Sequence, residues 1–283
     1  MTVSKKTAAM LTACILCLAL CSCVAAEGVS ALFINVGKAD AALFFLGDER
    51  YLVDTGTKDS HDQLVRVLDA YGVSHLDGIF VTHTDKDHAG GLKKLLKSGI
   101  TTDMLYASAL HSEIDLNDHR VVEAAEKHDA PLTWLKAGEK VMAADGSVFH
   151  VLGPLSQDYD NENNNSLVLR LETPEGAMLL TGDMELNEEA ELIQNGLITQ
   201  AEVLKVPHHG EDDATSKQFA LMVQPQWSVI STNTVEEPDT PDVKITSRLQ
   251  AAGSSIAVTQ DAQVGILITL EDGQASAQRI DWQ

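Results

Sequence analysis

The stretch Val81–Gly91, "VTHTDKDHAGG", sets two histidines and two aspartates within six positions: His83, Asp85, Asp87 and His88. Alternate residues of an extended turn point to a common side. His83, Asp85 and Asp87 therefore converge, and His88 adds a second direction. Such a set offers two ligand pairs, which is what a two-cation hydrolase requires. The plainer alternative is an acidic loop whose aspartates cap a following helix, expected over 90–98. The preceding "LDGIFVTH" (76–83) reads as a buried strand. The cluster thus hangs from a strand's carboxyl end, where α/β folds place their sites.

Outward from this loop the pattern is one of short apolar runs. "ALFINVG" (31–37), "AALFFLG" (41–47) and "RYLVDTG" (50–56) predict strands joined by tight turns. "HDQLVRVLDAYG" (61–72) carries apolar residues at 64, 65, 67, 68 and 71, a helical stripe closed by Gly72. Another helix is expected over 116–129. Strands follow at 132–135, 139–143, 147–152, 166–172 and 177–181. Helices (185–194, 214–223, 242–252) then alternate with strands (202–206, 227–231), and strands 255–259, 264–270 and 275–281 close the chain. Strand runs with helices on both sides predict a layered α/β sandwich.

Other candidate groups also fall at strand ends. "LLTGDM" (179–184) ends in Asp183, well placed to bridge two cations, although a turn aspartate is the plainer reading. "VLKVPHHGE" (203–211) ends a strand in the pair His208 and His209. "NENNNSLVLRL" (161–171) opens a strand with amides that serve a metal, a substrate oxygen or an ordinary turn. Asp54 is an N-cap or the partner of a ligating histidine. His61, His75, His111, His119, His128 and His150 read as structural or surface residues. The sequence has no phosphate-binding glycine loop and no nucleophile elbow.

Lys5 and Lys6, the apolar run Ala8–Leu20 and the small residues "CSCVAAEG" predict a secretory signal over residues 1–26, ahead of one hydrolase domain at 27–283. Two processing routes stay open. Val24-Ala25-Ala26 suits cleavage before Glu27, whereas Leu20-Cys21-Ser22-Cys23 resembles a bacterial lipobox that would leave Cys23 lipidated. All four cysteines (Cys14, Cys17, Cys21, Cys23) lie in this segment. The processed chain would therefore hold no internal disulfide, and its metal ligands must be His, Asp, Glu or Asn. Without Lys5 and Lys6, 18 of the 20 basic residues face 42 acidic ones, a charge of −24. Tight binding of long nucleic acid needs cationic neutralisation of phosphates, so this composition argues against it.

Taken together, "INVGKADAALF", "LVDTG", "VTHTDKDHAGGL", "NNNSLVLRL", "LLTGDM" and "VLKVPHHG" resemble the metallo-β-lactamase-fold hydrolases, closest to the soluble domain of the ComEC-type competence (DNA-uptake) family. The resemblance runs from about residue 30 to 280. It implies a four-layer αβ/βα sandwich with a site along one edge of the paired sheets. It also implies metal ligands His83 and Asp85 at one cation, Asp87 and His88 at the other, and Asp183 between them. His208 would complete a metal shell, and Asp87 and His209 would serve catalysis, with His209 facing the substrate or sharing the ligand role. Three positions depart from the family's pattern: Ala39 replaces a glycine, Glu211 a serine, and Thr240 the histidine of a late G-H-P. Two divalent cations, Zn²⁺ or Mn²⁺ with Fe²⁺ also open, would generate hydroxide between them for attack on a phosphoester. Asp85, in place of a histidine, shifts the preference from Zn²⁺ toward harder ions. A non-catalytic binding protein on the same fold and a hydrolase of another ester or amide are the alternatives.

Overall fold

The computed structural model describes residues 29–112, 116 and 119–283, so the expected signal segment lies outside the described residues. The chain opens with β1 (Val29–Ile34), β2 (Ala42–Leu46) and β3 (Glu49–Val53), then α1 (His61–Ala70). Next come β4 (His75–Leu76), β5 (Gly78–Val81), α2 (Leu92–Lys97), β6 (Thr101–Thr102), β7 (Leu105–Ser108), α3 (Arg120–His128) and β8 (Leu132–Leu135). The second half runs β9 (Lys140–Met142), β10 (Val148–Gly153), β11 (Val168–Thr173), β12 (Gly176–Leu180), α4 (Leu186–Gln194), β13 (Val203–Lys205), α5 (Lys217–Val223) and β14 (Trp227–Ile230). It closes with α6 (Val243–Ala251), β15 (Ser255–Val258), β16 (Gly265–Glu271) and β17 (Gln274–Ile280).

Two large sheets result. One has the order β17-β16-β1-β2-β3-β5-β7-β8, the other β15-β14-β13-β12-β11-β10-β9, and β4 with β6 forms a small parallel pair. Each large sheet is antiparallel where hairpins connect it and parallel where helices cross over, at β3-β5-β7-β8 and β12-β13-β14-β15. The sheets face each other across Phe33, Phe44, Phe80, Phe149, Leu169 and Leu180. On the outer face of the first sheet Leu32, Leu43 and Leu52 pack against Leu64, Leu68, Leu92 and Val121 of α1, α2 and α3. Leu179 and Leu204 of the second sheet pack against Leu192, Phe219 and Leu249 of α4, α5 and α6. This is the four-layer αβ/βα sandwich. Covering both faces also explains why the strands read as unbroken apolar runs rather than alternating ones.

Phe149 ties the layers together: its ring lies 4.7 Å from Phe80, 5.3 Å from Tyr51 and 6.0 Å from Phe44. Phe149→Ala should destabilise the protein by about 3–5 kcal/mol, read from denaturant midpoints at unchanged m-value. Glu188, on α4, is a second sensitive point. It is buried, and neither carboxylate oxygen has a hydrogen-bond partner. Burial, with the charge of Glu191, raises its pKa well above the ordinary glutamate value. Folding therefore takes up a proton here. That contribution is complete below the unfolded pKa and is lost as pH rises through the raised folded one. Glu188→Gln should raise the melting temperature at about pH 8 and have little effect near pH 4. Among the described residues no helix is long and apolar enough to cross a membrane.

Candidate metal centre

Five strand ends meet at one edge of the sandwich. Asp54 follows β3, the His83–His88 loop follows β5, Asp183 follows β12, His209 follows β13 and Ser231 follows β14. Ligand atoms of Asp87, His88, Asp183 and His209 all lie within 4.8 Å of one another. Asp183 Oδ2 is 3.1 Å from His88 Nε2 and 3.2 Å from His209 Nε2. Asp87 Oδ2 is 3.5 Å from His209 Nε2. His83 adjoins the group, its ring centroid 4.2 Å from that of His88 and its Nε2 3.9 Å from Asp85 Oδ2. His83, His88, Asp183 and His209 are buried, while the Asp85 side chain is 51% exposed at the mouth.

Backbone requirements explain these placements. Gly182 has φ +51°, and a Cβ there would sit 2.9 Å from Thr82 Oγ1 and 3.0 Å from Ser166 Oγ. Only glycine lets the Asp183 turn approach the histidine loop so closely. A Cβ on Gly90 would lie 2.0 Å from the Lys86 carbonyl oxygen, so the loop can fold back tightly only without one. His208 and His209 are both left-handed, at φ +45° and +53°, a conformation uncommon outside glycine. That double turn sends adjacent side chains to different places.

Hydrogen bonds to Nδ1 fix the imidazoles of His88 and His209. Asp54 accepts hydrogen bonds from Thr82 N (2.8 Å) and Thr82 Oγ1 (2.8 Å), and lies 2.8 Å from His88 Nδ1. His209 Nδ1 donates to the Ser231 carbonyl at 2.7 Å. With Nδ1 so engaged, each Nε2 is left as the free electron-pair donor. Beneath them Lys205, buried on β13, is paired with Asp40 and donates to the Gly182 carbonyl at 3.3 Å.

The donor set fits divalent cations. His83 Nε2, His88 Nε2, His209 Nε2 and Asp183 Oδ1 are buried with no hydrogen-bond partner. Orphaned buried polar atoms are costly, and here they are clustered within reach of one another. The titration behaviour agrees. Burial, with the neighbouring His88, pushes His83 down to about 3, so its ring is neutral and ready to ligate. Burial also resists charge on His209, but Asp183 and Asp87 outweigh it and push its pKa up to about 9. His88 is likewise raised well above its usual value against burial, by Asp183 and Asp54. A cation and these protons compete for the same oxygen-lined space, so cation binding is expected to release protons.

Of the residues singled out from sequence, His83, Asp85, Asp87, His88, Asp183 and His209 come together. His208 lies apart from them, in a separate group with Glu185 and Asp213 whose ligand atoms lie within 4.8 Å of one another. Its Nδ1 lies 2.9 Å from Asp213 Oδ1, and its Nε2 is 3.3 Å from Asn163 Nδ2. The asparagine side chains are engaged elsewhere: Asn161 and Asn163 amides donate to the Glu185 carboxylate at 2.7 and 2.8 Å. Thr240 hydrogen-bonds Thr232 and the Glu237 carbonyl, away from the cluster. Lys205 went unnoticed in the sequence, although a charged residue inside the apolar run "VLKV" was the available signal.

Fold and ligand set define the class: this chain belongs to the metallo-beta-lactamase superfamily, whose profile matches residues 34–232. Within it, the chain is similar to the ComE operon protein 3 of Bacillus subtilis (strain 168), 31% identical over 265 residues, covering 87% of this chain and 33% of that protein. The chain thus spans about a third of that relative's length. Among solved structures, the metallo-beta-lactamase fold protein YhfI from Bacillus subtilis has a TM-score of 0.56 at 10% identity, covering 89% of this chain and 100% of that one. A diphosphatase from the PhnP family has a TM-score of 0.51 at 14% identity, covering 88% and 97%.

Proposed function

We propose that this protein is a bacterial metal-dependent phosphodiesterase of small or envelope-associated phosphoesters, exported as a free or Cys23-lipidated protein. The observation that carries the reading is that two orphaned histidine Nε2 atoms, of His88 and His209, meet on Asp183 while the orphaned Nε2 of His83 lies beside Asp85. His83, Asp85 and Asp183 would hold one cation, and Asp87, His88, His209 and Asp183 the other, as Zn²⁺, Mn²⁺ or Fe²⁺. When bound, such a pair polarises a phosphoryl oxygen and acidifies water. The protein's part is positional. Asp54 and the Ser231 carbonyl orient the rings of His88 and His209, and Asp183 lies against the Nε2 of both, where it would share in holding the cations. Similarity to a diphosphatase in fold supports a phosphoester, and the formal charge of −22 disfavours long nucleic acid as the substrate.

The test is hydrolysis of bis(p-nitrophenyl) phosphate by the chain from Glu27 onward, with Mn²⁺ or Zn²⁺ and after chelation. Turnover that requires metal is expected. Metal-loaded, folded protein without turnover would sink the phosphodiesterase reading in favour of another ester or amide substrate. Protein that takes up no metal would favour the non-catalytic binder, a reading to which Thr240, turned from the cluster, lends its one specific support.

A further inference from the structure

Two of the departures from the family's pattern, Ala39 and Glu211, meet at one ion pair. Glu211, just past the His208–His209 turn, receives the Lys38 ammonium on Oε1 at 2.6 Å, and Lys38 precedes Ala39 on the β1–β2 loop. The Lys38 backbone N–H donates to Glu236 Oε2 at 3.1 Å, and Glu236 Oε1 accepts from Asn233 Nδ2 at 2.9 Å. Glu237, next in line, accepts from Thr240 through its carbonyl at 3.1 Å. Chain neighbours and hydrogen bonds thus connect Ala39 and Glu211, through Lys38, with Thr240, through Glu236 and Glu237. Glu211 also lies 3.8 Å, through Oε2, from His208 Nε2.

Lys38 joins two segments that carry the centre: the loop bearing Asp40 and the turn bearing His209. Its side chain is 21% exposed, and Glu211 is 30% exposed, so the pair is reachable by a ligand entering the mouth. The charges of Asp87 and Asp183 act on the Lys38 ammonium, which nevertheless makes its ion pair with Glu211 and not with them. A cation beside such a centre, paired with a single partly exposed carboxylate, suits an incoming phosphoryl oxygen that can take that carboxylate's place.

We propose that Lys38 binds a non-bridging oxygen of the phosphoester and that Glu211 is the resident counter-ion which the phosphoester displaces. The inference rests on the phosphoester reading above. It makes opposite predictions for two partners of one ion pair. In metal-loaded protein, Lys38→Met should weaken binding of inorganic phosphate roughly tenfold or more by calorimetry. Glu211→Gln should tighten it, because the ammonium loses its competitor. Lys38→Arg should retain most of the affinity, and metal content should match the parent in every variant. A pair that only ties two segments together would shift both variants the same way or neither, and that result overturns the proposal, as does a parent that binds no phosphate. Failure of bis(p-nitrophenyl) phosphate hydrolysis with the opposite shifts intact would instead leave the anion contact standing and remove the phosphodiesterase reading.

Discussion

Asp183→Asn should eliminate metal-dependent turnover while leaving a folded protein. The carboxylate lies against two of the three ring nitrogens at the centre, His88 Nε2 at 3.1 Å and His209 Nε2 at 3.2 Å. An amide keeps the shape but replaces one oxygen with an NH₂ group, which has no lone pair to offer a cation. One of the two oxygens that would hold a cation is therefore lost, together with a negative charge. The turn itself does not depend on that charge: Asp183 N donates to Ser166 Oγ at 3.1 Å, and Gly182 supplies the left-handed bend. We expect bound metal to fall from about two equivalents to one or fewer, and turnover to fall on the order of a thousandfold. Without metal, the variant should melt lower than the parent near neutral pH, because against burial His209 and His88 hold the Asp183 carboxyl well below its usual range, and the amide leaves both rings without that partner. Elemental analysis, hydrolysis rates and thermal melts check the three parts separately. Full metal content with full activity would remove Asp183 from the centre.

The buried charges beneath the centre extend the argument. Asp40 and Lys205 are almost inaccessible, and a lone buried charge is expensive. Burial opposes ionisation of Asp40, yet Lys205 and His88 hold its pKa below the ordinary carboxylate value. Lys205 in turn stays charged against burial because of Asp40 and Asp183. The pair lets one more carboxylate sit under His88, 3.7 Å from its Nδ1, without adding net charge to the cluster. Removing Lys205 alone would leave that charge bare.

Much of this was legible in the sequence because each element announced itself locally. The stripe in 61–72 became α1, with Gly72 at φ +68° just past its end. Strand 132–135 was recovered residue for residue as β8. The helix expected over 116–129 is described from Arg120 to His128, and that over 214–223 begins only at Lys217, where Ser216 caps it by accepting from Phe219 N. What escaped depended on partners distant in sequence. β7 (Leu105–Ser108) is four residues with no alternation, and it is a strand because β5 and β8 flank it. Lys205 acquires its role only when β13 brings it to Asp40, far away in the chain. The ligand cluster in 83–88 was readable because a dense local motif carries most of the site by itself.

The histidine pair is where sequence reasoning had no purchase, and it gives the sharpest contrast. Adjacent residues in a strand would point to opposite faces, but which one faces the cations depends on the turn. Two successive left-handed residues decide it. His209 is fully buried with Nδ1 fixed on the Ser231 carbonyl and Nε2 free toward Asp183 and Asp87. His208 instead spends Nδ1 on Asp213 and faces the rim. His209→Ala should therefore cost one cation and on the order of a thousandfold in turnover. His208→Ala removes a hydrogen bond worth about 1 kcal/mol, so it should keep both cations and lose roughly tenfold or less. Metal content measured on the two variants side by side separates them. Loss of metal in His208→Ala with retention in His209→Ala would mean that the turn adopts the opposite hand around the bound cations. Equal loss in both would mean that the left-handed turn itself, rather than either imidazole, holds the centre together.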